Sequence, residues 1–116
     1  MSCCNVEVQK IGYAFPGERS ACYSSDLLLR QYKTARSQKK EKFTYKDVKG
    51  VYTIILMDTS PGIFAEFPNK YVHTFHQESD TGLSIDLLQN YIFIPLDIFR
   101  ENVQNKGIKN KLDIHI

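Results

Sequence analysis

The seven residues Val51-Tyr52-Thr53-Ile54-Ile55-Leu56-Met57 constrain the architecture of this chain more than any other stretch. Apolar and β-branched side chains run through it almost without a break. A half-exposed strand alternates apolar and polar residues, whereas a strand buried on both faces within a parallel pair reads as a continuous apolar run. Parallel neighbours cannot be joined by a tight turn. Their connection needs a dozen or more residues, usually a helix. A strand and a helix are therefore expected upstream.

Both are present. Val6 to Gln9 alternates apolar and polar residues as a strand does, and Phe15-Pro16-Gly17 breaks it. A helix is expected to begin near Glu18 or Arg19, with an acid in its first turn. Ala21, Ser25, Leu28, Tyr32 and Ala35 form one narrow stripe at helical spacing, widened by Leu27 and Leu29. The helix fades over Ser37 to Lys40, and Thr44 to Gly50 reads as a basic loop. Strand, helix and buried strand in this order predict an α/β fold with a crossover unit whose two strands, Val6–Gln9 and Val51–Met57, are parallel neighbours.

Further along, Asp58-Thr59-Ser60-Pro61-Gly62 has the chemistry of a turn. Tyr71 to Gln77 reads as a shorter strand, and Leu83 to Leu88 fits strand or helix equally. Tyr91 to Leu96 is another apolar strand, with Pro95 placed at its end or on an edge. Asp97 suits the N-cap of a short helix running to Asn105, ahead of Gly107. No repeat, low-complexity tract or linker divides the 116 residues, so residues 1–116 form a single domain.

Composition narrows the class. With 42% hydrophobic and 24% charged residues the chain is an ordinary globular sequence. No apolar run approaches the roughly 20 residues of a membrane span, and no signal peptide opens the chain. Cys3 and Cys4 are adjacent and Cys22 is isolated, which is neither a disulfide framework nor a metal spacing; a reducing, cytoplasmic setting is expected. The net charge is +2, but between Arg30 and Lys49 eight cations face only Glu41 and Asp47, a local excess of +6. Such a patch can neutralise phosphates, although lysines at a solvated helix end can look the same.

Glu7 and Gln9 carry the sharpest chemistry. Two residues apart on a strand, a carboxylate and an amide project from one face, where a metal-dependent nuclease places a Mg²⁺ ligand and a group that orients water. The sequence from Val6-Glu7-Val8-Gln9 through Phe15-Pro16-Gly17-Glu18-Arg19 and Tyr23 to Leu29-Arg30-Gln31-Tyr32 resembles the PD-(D/E)XK nuclease family transposases, also described as recombination-promoting nucleases. Val51 to Leu56 and Tyr91 to Asp97 are similar to later segments of that family.

The resemblance implies a restriction-endonuclease-like mixed sheet, a Mg²⁺-dependent DNA endonuclease activity, Glu7 as metal ligand and catalytic carboxylate, and Gln9 beside it where many relatives carry Lys. It also implies an Asp on a preceding strand. Glu7 is the first acid in the chain, so this sequence is expected to be a partial domain, truncated at both ends and inactive alone. A non-catalytic DNA-binding or self-associating remnant, in the second case a homo-oligomer, is the competing expectation.

By the same resemblance Arg19 and Tyr23 sit one turn apart at the head of the helix, with Arg19 on phosphate and Tyr23 supporting it. Arg30, Lys33, Arg36 and Lys40 fall at steps of three, three and four residues and are expected to form a DNA-binding arc on one helical face. Glu18 and Asp26 are the alternative carboxylates. His73 and His76 flank Phe75 at a spacing that puts their rings on opposite faces of a strand, which argues against a shared metal. His115 is terminal and has no supporting ligand nearby in sequence.

Overall fold

A computed structural model describes residues 3–9 and 15–105 of the chain, with side chains over residues 15–104. Four strands, β1 (Cys3–Gln9), β2 (Val51–Met57), β3 (His73–Phe75) and β4 (Gln89–Pro95), form one sheet in the order β1-β2-β4-β3. β1, β2 and β4 are parallel, and β3 runs antiparallel to β4. Helix α1 (Pro16–Lys39) links β1 to β2, and α2 (Leu96–Asn105) follows β4 directly. The fold is mixed α/β. The parallel pairing of Val6–Gln9 with Val51–Met57 across a helical connection is as expected, with Glu7 opposite Ile55 and Gln9 opposite Met57. No described helix is long and apolar enough to cross a membrane.

β2 is not buried on both faces. Val51, Thr53, Ile55 and Met57 are fully buried, whereas Ile54 and Leu56 are half-buried and Tyr52 is 40% exposed. The reason is that both helices serve one side of the sheet. Ile55, Met57 and Phe93 pack there with Ile98 of α2 and with Phe64 from a 3-10 turn at Gly62–Glu66. The N-terminal half of α1 borders Tyr91 and Phe93 on the same side.

α1 begins earlier than its first acid suggests, because Pro16 has a φ already suited to the first helical position. Phe15, at φ 59°, supplies the carbonyl that accepts the Arg19 N–H over 3.1 Å. The buried stripe is also rotated by one residue. Ser20 and Ser24 are buried, and Ala21 and Ser25 are exposed. Gln89, the first residue of β4, reaches across with Nε2 donating to Ser24 Oγ at 3.1 Å and Ser25 Oγ at 3.2 Å. Short hydroxyl side chains let helix and sheet approach while meeting that amide. Leu29 is exposed and does not widen the stripe.

The second half departs in detail. The strand expected over Tyr71 to Gln77 is reduced to three residues, and Leu83 to Leu88 is neither strand nor helix. Pro95 closes β4 opposite Met57, at the end of the ladder. Asp97 lies inside α2 rather than at its cap. Its Oδ1 accepts the Ile98 N–H, and its Oδ2 accepts the N–H and hydroxyl of Ser60 at 3.0 and 3.1 Å. That carboxylate joins the turn after β2 to the start of α2.

Candidate nucleic-acid interface

Glu7 and Gln9 lie on β1 between Cys3 and the strand's end, and their side chains fall outside the described residues. Their partners on β2 are Ile55 and Met57, which carry no oxygen ligand. Asp58, the acid that directly follows β2, accepts Arg100 Nη1 over 3.0 Å. Among the described residues no three His, Cys, Asp or Glu side chains are grouped to hold a metal ion. Mg²⁺ asks for near-octahedral oxygen coordination.

Most of the other candidate ligands have partners of their own. Asp26 pairs with Arg30 over 2.9 Å, one turn along α1, and Glu18 is exposed in the first turn. His73 lies edge-on to the rings of Phe64 and Phe67, and His76 contacts Glu78 at 3.1 Å. A groove between the start of α1 and β4, bordered by Pro16, Ser20, Phe64, Tyr91 and Phe93, is mostly apolar, and no carboxylate lines it among the described residues.

The cations of α1 are arranged more tellingly. At about 3.6 residues per turn, positions 30, 33 and 36 lie on the side of the helix opposite Ser20, Ser24 and Gln31. All three are exposed. Arg19 and Tyr23 come together, with Arg19 Nη2 3.4 Å from the Tyr23 hydroxyl and its guanidinium 5.8 Å from the ring centre. Tyr23 is an exposed residue and not part of the core. Lys40 does not continue the arc. Helix α1 ends at Lys39, and Lys40 takes φ 52° at the start of a 3-10 turn, which removes it from the helical row.

Sequence reasoning read the segment after α1 as a plain basic loop and missed its organisation. Three aromatic rings gather there. Tyr32 and Tyr45 stack with centroids 5.9 Å apart and planes 13° from parallel, and Phe43 stands edge-on to both at 5.6 and 5.5 Å. Arg36 donates Nη1 to the Tyr32 hydroxyl over 2.8 Å and places its guanidinium 5.9 Å from the centres of Tyr32 and Phe43.

The turn bearing Tyr45 is fixed by Asp47. Oδ2 accepts the Thr44 N–H over 3.0 Å and Oδ1 pairs with Lys39 Nζ at 2.6 Å. The Lys39 hydrogen bond, then the Thr44 amide, hold the Asp47 carboxyl below its ordinary pKa. The readable signals were the Phe43-x-Tyr45 spacing between Lys42 and Lys46, and an acid three residues after Thr44.

Compared with protein-family models, with curated proteins and with solved structures, the chain matches none.

Proposed function

We propose that this chain is a DNA-binding α/β module of PD-(D/E)XK nuclease-transposase type that engages the phosphodiester backbone through the outward face of α1 and the turns following it, and does not itself hydrolyse DNA. The observation that carries the reading is the separation of the two sides of α1: small hydroxyl residues turned to the sheet, Arg30, Lys33 and Arg36 turned to solvent. The cations continue past the helix at Lys40, Lys42, Lys46 and Lys49, so the positive surface extends beyond a single helix end. Lys and Arg on such a surface displace counterions from DNA, giving affinity without base readout.

The restriction-endonuclease-like fold is part of this proposal. It is supported by the strand–helix–strand crossover and by the placement of the E-x-Q pair on β1. Mg²⁺ enters only through Glu7, and no reaction step is assigned to it.

The test is binding to a short DNA duplex as a function of salt, with the wild type and the Lys33→Glu, Arg36→Glu double variant. The wild type should lose affinity steeply with salt, and the variant should bind more weakly to every sequence with a shallower slope. Equal binding by both proteins at low salt would refute the proposal.

Self-association is a second reading, supported by the half-covered sheet face that carries Tyr52, Ile54, Leu56, Ile92 and Ile94. Sedimentation that is independent of concentration would dismiss it.

A further inference from the structure

We infer that the Tyr32–Phe43–Tyr45 cluster is a stacking platform for an unpaired base, so that this surface takes single-stranded DNA in preference to duplex. The inference rests on the DNA-binding reading above and deepens it, because it names the form of nucleic acid.

Three observations carry it. First, Tyr45 is 73% exposed although its ring takes part in an aromatic cluster. A tyrosine recruited only to close a helix end would turn its ring inward. Here one face lies against Tyr32 and much of the ring remains open to solvent. A base laid on the open face would extend a stack that the protein has already begun. Base–aromatic stacking is indifferent to sequence, since every base has a π-face.

Second, the platform is held in place before any ligand arrives. Phe43 buttresses both tyrosines edge-on, Arg36 is fixed to the Tyr32 hydroxyl, and Asp47 ties the Tyr45 turn to Lys39 of α1. Fewer torsions remain to be frozen on binding than in a mobile loop.

Third, one cation lies against the rings, with Arg36 over Tyr32 and Phe43, and others neighbour them in sequence. Arg36, Lys39, Lys42 and Lys46 lie within the same short stretch of chain as Phe43 and Tyr45. A positive surface that follows the backbone beside aromatic side chains that receive the bases is how single strands are held without sequence preference. In a duplex the bases are already stacked on each other, so the exposed Tyr45 ring gains little from it.

The experiment compares an oligothymidylate and a duplex of equal length by fluorescence anisotropy at low salt, using the wild type, Tyr45→Leu and Tyr45→Phe. Circular dichroism melts verify that each variant is folded. Leucine keeps apolar bulk but removes the π-face, and phenylalanine keeps the π-face. Tyr45→Leu should weaken single-strand binding about tenfold while leaving duplex binding nearly unchanged, and Tyr45→Phe should bind like the wild type. An oligonucleotide carrying 2-aminopurine should lose fluorescence on the wild type, as a stacked base does, and not on Tyr45→Leu.

If Tyr45→Leu binds single strands as well as the wild type, or weakens both forms alike, the platform is refuted while salt-dependent duplex binding still supports the phosphate-binding reading. If any variant fails to fold, the wild-type 2-aminopurine signal decides, its absence refuting the platform. A wild type that binds neither form refutes both proposals.

Discussion

Gln31 and Lys49 hold each other by a reciprocal pair of hydrogen bonds: Gln31 Nε2 donates to the Lys49 carbonyl over 2.9 Å, and Gln31 Oε1 accepts the Lys49 backbone N–H. An amide side chain thus serves both polar groups of one peptide residue, as a neighbouring strand would. The contact sits two residues before β2 and closes the long connection from α1 onto the sheet. It sets where the basic turns stand relative to the helix.

Replacing Gln31 by Ala therefore removes two bonds at once and leaves the Lys49 peptide to water. A net cost of about 1–2 kcal/mol is expected, since each ordinary hydrogen bond contributes about 1 kcal/mol. Chemical denaturation with an unchanged slope and a lowered midpoint would be the signature. A midpoint equal to that of the wild type would show that the connection is held by packing alone.

Asp47 makes the Tyr45 turn pH-sensitive in a defined direction. Its carboxyl is held below the ordinary carboxylate pKa by the Lys39 hydrogen bond first and the Thr44 amide second. A depressed acid favours the folded arrangement above its unfolded pKa and ceases to do so as pH falls through the folded value. The turn should therefore be intact at neutral pH and loosen only under conditions more acidic than the usual carboxylate range, about pH 4. Ring resonances of Tyr45 followed by NMR would report the loosening. In Asp47→Asn the acid-dependent change should disappear, and its persistence would assign the effect to another group.

How far the sequence foretold these features differs along the chain. The pairing of β1 with β2 was legible because a continuous apolar run, preceded by a helix and an alternating strand, admits few topologies. The buried face lies one residue from the Ala21–Ser25 stripe because pattern counting favours Ala21 over Ser20 before it. Ser20 and Ser24 are buried for a tertiary reason, the reach of Gln89 from a strand 65 residues away from Ser24. Lys40 was placed on the helical arc because nothing in the local sequence announces a positive φ at a lysine. The aromatic cluster stayed hidden because its members come from the end of α1 and the turns beyond it, and meet only after Lys40 bends the chain.

The two faces of β2 should respond differently to truncation. Ile55 is fully buried among Met57, Phe64, Phe93 and Ile98, so Ile55→Ala should cost about 2–5 kcal/mol through lost burial and the cavity left behind. Ile54 is half-buried on the other face, and Ile54→Ala should cost clearly less. Thermal melts of the two variants would compare them directly. Equal losses would mean that the second face is as closely packed as the first.

The last expectation concerns the E-x-Q pair itself. Glu7 and Gln9 stand opposite Ile55 and Met57 in the ladder, so the strand beside them supplies no second oxygen ligand. Mg²⁺ bound through one or two carboxylates draws its other ligands from water and phosphate. Purified protein incubated with supercoiled plasmid and Mg²⁺ is therefore expected to leave the plasmid uncut. Glu7→Ala should bind duplex DNA no more weakly than the wild type, because the proposed phosphate contacts lie on the outward face of α1. Nicking by the wild type that disappears in Glu7→Ala would show instead that the carboxylate on β1 completes a working metal site, and that this chain cuts the DNA it binds.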